Sequence, residues 1–160
     1  MKQIFFRLML LLTAVCLLGS LQAKKVHTIG DSTMAPYDES ATITRGWGMY
    51  FGNFLTNGWT SVNYAKGGRD ARSGYNELWT QNAKANVEAG DYVIIQFAHN
   101  DEMHNGVDHD ELDTWLKEKG ETFTIDSRGT NPSTTYKTLL KKICDEVKAK
   151  GAYPILVSAA

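Results

Sequence analysis

The run Tyr92-Val93-Ile94-Ile95-Gln96-Phe97 is apolar on both sides of an extended chain. Such a strand has little to offer water, so it belongs in the middle of a parallel sheet with helices above and below. The rest of the sequence agrees. Short strand-like runs at Lys25–Ile29, Ser61–Ala65, Asp91–Phe97 and Tyr153–Ser158 alternate with helical stretches at Gly48–Thr56, Gly74–Glu88 and Ser133–Lys150. In the last stretch Tyr136, Leu139, Leu140, Ile143, Cys144 and Val147 recur at helical spacing with lysines outside; Pro132-Ser133 offers a start and Gly151 a stop. Alternation of this kind builds βαβ units with right-handed crossovers. The expected fold is a three-layer α/β/α sandwich around a doubly wound parallel sheet.

Charge and leader narrow the function classes. With 17 Lys and Arg against 18 Asp and Glu, the net charge is −1. A nucleic-acid binder needs a basic face to displace counterions from phosphate, and none is offered here. Residues 1–23 read as a secretory signal peptide. Lys2 and Arg7 flank a short positive region, Leu8 to Leu18 is almost continuously apolar, and the expected cut follows Ala23. That core is short for a bilayer span, which takes about 20 apolar residues. Val15 before Cys16 argues against a lipid anchor. The remainder, residues 24–160, is expected to be a secreted or periplasmic portion of one domain. Cleavage leaves Cys144 as the single cysteine, which rules out an internal disulfide and suits a small buried hydrophobe.

Three segments that follow strand-like runs carry the chemistry: Gly30-Asp31-Ser32-Thr33-Met34, Asn63-Tyr64-Ala65-Lys66-Gly67-Gly68-Arg69 and Gln96-Phe97-Ala98-His99-Asn100-Asp101. The carboxyl ends of parallel strands are where α/β sheets place reactive groups. A serine there becomes a nucleophile once a base takes its proton, and the oxyanion formed on attack needs donors already aimed at it. Each segment also has a plainer reading. Asp31 and Ser32 are common turn or cap residues, Gly67-Gly68 suits a turn with positive φ, and Asn100-Asp101 could cap a turn. Their order at three successive strand ends, with Gly46-Trp47-Gly48 between the first two, resembles the SGNH/GDSL hydrolases, most closely the rhamnogalacturonan acetylesterase-like branch.

The resemblance implies a flavodoxin-like SGNH hydrolase fold, with Ser32 as nucleophile and Ser32, Gly68 and Asn100 as the oxyanion hole. Two departures from the family pattern are Ala98, where glycine is usual, and Asp70, where serine is common. Neither removes a donor. The family's late block, an Asp-x-x-His with a following strand and helix, is not found in residues 24–160. It is expected after Tyr153–Ser158, so the sequence reads as truncated at its C-terminus. His27 lies within the first strand, His99 in the third block, and His104 and His109 in a polar loop; none suits the base.

The polar segment from His99 to Pro132 is too long for a simple connection and could form a substrate-binding wall. From Asp101 it approaches an EF-hand register, but Met103 and Leu112 fall where that loop needs oxygen ligands, so no metal and no cofactor is expected. Asn131-Pro132-Ser133 fails as a glycosylation acceptor because of its proline.

The expected function is an exported serine esterase removing acetyl groups from a plant cell-wall polysaccharide, pectic rhamnogalacturonan by the branch resemblance. Trp47, Trp59, Tyr75, Trp79 and Trp115 could stack on sugar rings or simply pack the core. The alternatives are a lipase- or thioesterase-type GDSL hydrolase and a carbohydrate-binding remnant without a base. The substrate partner is an acetylated polysaccharide or oligosaccharide; neither nucleic acid nor a membrane anchor is expected. The 160-residue chain alone is expected to be inactive.

Overall fold

A computed structural model describes residues 23–102 and 128–158. The leader, the loop histidines His104 and His109, the EF-hand-like register and Trp115 lie outside the described residues. Four strands, β1 (Lys25–Gly30), β2 (Thr60–Asn63), β3 (Tyr92–Gln96) and β4 (Tyr153–Leu156), form one sheet in the order β2-β1-β3-β4. All three pairings are parallel, with Val26 opposite both Ser61 and Tyr92. The expected parallel sheet is therefore present, with its strands one or two residues shifted at most ends. The chain leaves β1 for the β2 edge and then crosses back to β3. This reversal opens a crevice at the carboxyl ends of β1 and β3.

Period-two alternation splits the sheet's side chains between two cores. Ile29, Val93, Ile95 and Phe97 join Leu78, Trp79, Ala83, Ile143 and Val147 on one face; Val26 and Ile94 join Met34, Ala35 and Ala65 on the other. The first face is covered by two helical segments. One starts as α1 (Ala71–Ser73), widens into π-helical turns over Gly74–Ala83 and ends as α2 (Lys84–Asn86). The other begins with π-helical turns at Pro132–Tyr136 and continues as α3 (Lys137–Ala149). Asn131, rather than Ser133, caps this second segment: its side chain accepts the Ser133 N–H at 3.0 Å, and Pro132 follows where a missing N–H costs nothing.

Glu146 locks the two segments together, accepting from Tyr75 Oη at 2.9 Å, Trp79 Nε1 at 2.9 Å and Lys84 Nζ at 2.7 Å. Burial works against its charge, but these donors win and hold its carboxyl below the usual range. The other face differs from expectation. Gly48–Thr56 is not one helix but two 3₁₀ turns, Trp47–Met49 and Phe51–Phe54. The reason is local. A Cβ at Gly48 would stand 2.5 Å from Met34 O, so the chain presses against the loop after β1 where a full α-helix has no room.

Candidate active site

The first block folds as a tight turn built by its own aspartate. Asp31 is fully buried, and its Oδ1 accepts from Thr33 N at 2.9 Å and Thr33 Oγ1 at 2.8 Å. Its carbonyl accepts from Met34 and Ala35 N–H, while Met34 fills the core beneath. Ser32 stands half-buried on top of this turn, and Tyr37 Oη donates to its carbonyl at 2.9 Å. Among the described residues, nothing is hydrogen-bonded to the Ser32 hydroxyl or to its N–H. The plainer reading is thus also true: Asp31 is a turn former, and by being one it presents the serine.

Gly46-Trp47-Gly48 buttresses the turn from below. Trp47 N donates to Thr33 O at 3.0 Å, and Trp47 Nε1 reaches Gln96 Oε1 on β3 at 2.7 Å. Asn63, at the end of β2, joins the same support by donating to Met34 O at 2.9 Å and accepting from Thr28 Oγ1 at 2.9 Å.

The second block brings its glycines to the serine. A Cβ at Gly67 would lie 3.8 Å from Ser32 Cβ, and Gly68 turns at φ +76°, a conformation glycine adopts without penalty. Among the described residues the Gly68 N–H has no acceptor. Asp70 then caps α1, accepting from Ser73 N at 2.8 Å in a capping box. That explains the aspartate where the family favours serine.

From the third block, the buried Asn100 side chain does not cap a turn. Its Nδ2 donates to Arg69 O at 3.0 Å and its Oδ1 accepts from Arg128 Nη1 at 2.7 Å, so one amide N–H is left without a partner among the described residues. Asp101 beside it is buried, accepting from Ala71 N at 2.8 Å and from Thr130 Oγ1. Burial, reinforced by the charges of Asp70 and Asp31, pushes its carboxyl up to about 6.

The crevice therefore gathers a hydroxyl and three N–H groups, from Ser32, Gly68 and Asn100, that have no protein acceptor among the described residues. This set can attack an electrophilic carbon and hold the charge that develops on its oxygen. His27 lies inside β1 and His99 is exposed at the rim. Sequence reasoning missed Arg128, Gly129 and Thr130, whose partners are far away in the chain. Of the aromatic residues, Trp79 is fully buried and donates to Glu146, while Trp47 and Trp59 pack on the second core. Tyr75 hydrogen-bonds Glu146 under the Lys142 ammonium, 4.4 Å from its ring. Packing accounts for all four. Cys144 is half-buried on α3 rather than fully enclosed, and burial raises its thiol pKa.

The model of the GDSL-like lipase/acylhydrolase family matches residues 26–158. The chain belongs to the GDSL-like lipase/acylhydrolase family. It is similar to rhamnogalacturonan acetylesterase RhgT of Bacillus subtilis (strain 168), at 30% identity over 135 residues, 84% of this chain and 48% of that protein. A rhamnogalacturonan acetylesterase of Emericella nidulans is 41% identical over 90 residues, 56% of this chain and 34% of that protein. The chain spans about half the length of the first relatives it matches. The X-ray crystal structure of a Bacillus subtilis protein, YXIM, superposes at a TM-score of 0.61 over 86% of this chain and 33% of that one. At 22% identity, that likeness shows the shared fold.

Proposed function

We propose that the whole protein is an exported serine esterase of the GDSL family that removes acetyl groups from a polysaccharide, rhamnogalacturonan being the first candidate. The observation that carries the reading is the Ser32 hydroxyl on the turn after β1, with Gly67 packed against it and Asn100 on the turn after β3, and with N–H groups of Ser32, Gly68 and Asn100 that have no protein acceptor among the described residues. In this reading Ser32 Oγ attacks the ester carbonyl and loses its proton to a histidine steered by an aspartate. The C=O electron pair moves onto oxygen, where the three donors receive it. Collapse expels the sugar hydroxyl, which takes the proton, and water then releases acetate from Ser32. Each donor of this kind is typically worth on the order of 10²–10³ in rate. The substrate choice draws on the two acetylesterase relatives named above.

The test is acetate release from acetylated rhamnogalacturonan, together with a chain-length series of nitrophenyl esters. Ser32→Ala is expected to abolish turnover while leaving thermal unfolding within about 0.5 kcal/mol of wild type, as at other half-exposed positions. Turnover surviving in that variant rejects the nucleophile assignment. Activity confined to acetate supports the acetylesterase; activity rising with acyl length favours a lipase-type enzyme.

A second reading, a carbohydrate-binding protein without turnover, is favoured by one fact: the Asp-x-x-His within residues 24–160, Asp101 to His104, begins on an aspartate of the third block that is already committed to Ala71 N and Thr130 Oγ1. It predicts sugar binding that is indifferent to Ser32→Ala. Coding DNA that continues past Ala160 into an Asp-x-x-His segment argues for the enzyme.

A further inference from the structure

Asn100 can serve an oxyanion only with its nitrogen turned to the crevice, and an amide can sit either way round. Two contacts decide this here. Arg69 O is an acceptor, so the group facing it at 3.0 Å has to be Nδ2. A guanidinium only donates, so the group facing Arg128 Nη1 at 2.7 Å has to be Oδ1. Arg128 also lies next to Gly68, where an added Cβ would stand 3.5 Å from the same Nη1.

The segment that delivers it is latched on both sides. Gly129 N donates to Asp70 Oδ2 at 3.2 Å, and Thr130 donates from Oγ1 to Asp101 Oδ1 and from N to Asp101 O at 3.2 Å. Asp70 and Asp101 are themselves buried, one capping α1 and the other receiving the Ala71 N–H. The arginine thus hangs from a segment pinned to the very blocks that supply Gly68 and Asn100.

We propose that Arg128 is a positioning residue of this site, its guanidinium fixing the Asn100 amide so that the free N–H faces the reacting oxygen beside Gly68. The charge has a second consequence. A cation bonded to Oδ1 polarises the amide and makes Nδ2–H a stronger donor, as expected of charge-assisted hydrogen bonds. The inference rests on the esterase reading above.

The experiment compares Arg128→Met, Arg128→Lys and Asn100→Ala in the whole protein on nitrophenyl acetate. Arg128→Met is expected to lower kcat on the order of 10- to 100-fold, below the loss for a whole donor, with KM little changed and Tm retained. Arg128→Lys keeps a cationic donor and recovers part of the rate. Because Arg128 acts through Asn100, Arg128→Met adds little further loss once Asn100 is alanine. Unchanged kcat in Arg128→Met, or fully additive losses in the double variant, overturns the proposal.

The side-chain amide resonances of Asn100, assigned by their disappearance in Asn100→Ala, give a readout independent of turnover. They are expected to shift in Arg128→Met, and unmoved resonances overturn the positioning. A wild-type protein inactive on every ester, or one unaffected by Ser32→Ala, overturns the esterase reading instead, while the resonances still decide whether Arg128 sets the amide.

Discussion

Asp101 shows how much a single residue beside the site can matter. The unfolded chain ionises this carboxyl near 3.8, whereas burial in the fold delays ionisation to about 6. Between those values the unfolded state releases a proton that the folded state keeps, so stability falls as pH rises through the window, by roughly 3 kcal/mol for two pH units. Asp101→Asn retains the Oδ1 acceptor for Ala71 N and Thr130 Oγ1 but cannot titrate. Urea unfolding across pH 4 to 6 is expected to show the wild type losing stability relative to this variant. Parallel curves would show that the burial carries no such penalty. None of this was legible in the sequence, where Asp101 looks like one polar loop residue among many. Its environment comes from Ala71 and Thr130, about 30 positions away in either direction.

Among the elements, the 3₁₀ turns under the Ser32 loop are the most exacting. At Gly46 an added Cβ would fall 2.1 Å from Ala35 O and 2.6 Å from Met34 C, both backbone atoms of the turn that presents the serine. No rotamer relieves such a clash. Gly46→Ala is expected to cost about 1–3 kcal/mol, as overpacked positions do, and to lower the proposed esterase activity by displacing Ser32. Thermal melts and rates on nitrophenyl acetate check both halves, and an unchanged Tm would refute the packing argument. The sequence marks Gly46-Trp47-Gly48 as a motif by resemblance, yet its spacing suggests a continuous helix to Thr56. Helical periodicity cannot register that the first turn has a neighbouring loop pressed against its backbone.

At the scale of the whole molecule, the amino ends of β1 and β3 are joined by a buried ion-pair position. Asp91 accepts from Lys25 N at 2.9 Å, Glu88 N at 3.0 Å and His27 Nε2 at 3.2 Å. Burial opposes the Asp91 charge, but these donors outweigh it and hold the carboxyl below its usual range. As an acceptor, the carboxylate requires the proton on Nε2, leaving Nδ1 of the neutral ring bare and without a partner among the described residues. Burial lowers the His27 pKa, with Lys25 adding to the effect and Asp91 and Glu88 opposing it. The unfolded chain therefore binds a proton below about pH 6.5 that the fold resists. Global stability is expected to decline as pH falls from that point, opposite in sign to the Asp101 effect. Denaturant midpoints from pH 7.5 to 5 check this, and His27→Gln is expected to lose the slope. An identical slope in the variant would assign the acid sensitivity elsewhere.

Local pattern was enough to locate the strands, the helical face of α3 and the three blocks at strand ends, because each is written in neighbouring residues with a period of two or 3.6. The same pattern is silent on partners. Strand order, the crevice between β1 and β3, and the convergence of Ser32, Gly68 and Asn100 follow from how the strands pair. Still less visible are Arg128 on Asn100, 28 residues apart, and Gly129 on Asp70, 59 apart. A buried donor or acceptor must be satisfied somewhere, but which group meets it is chosen by the three-dimensional packing of distant elements.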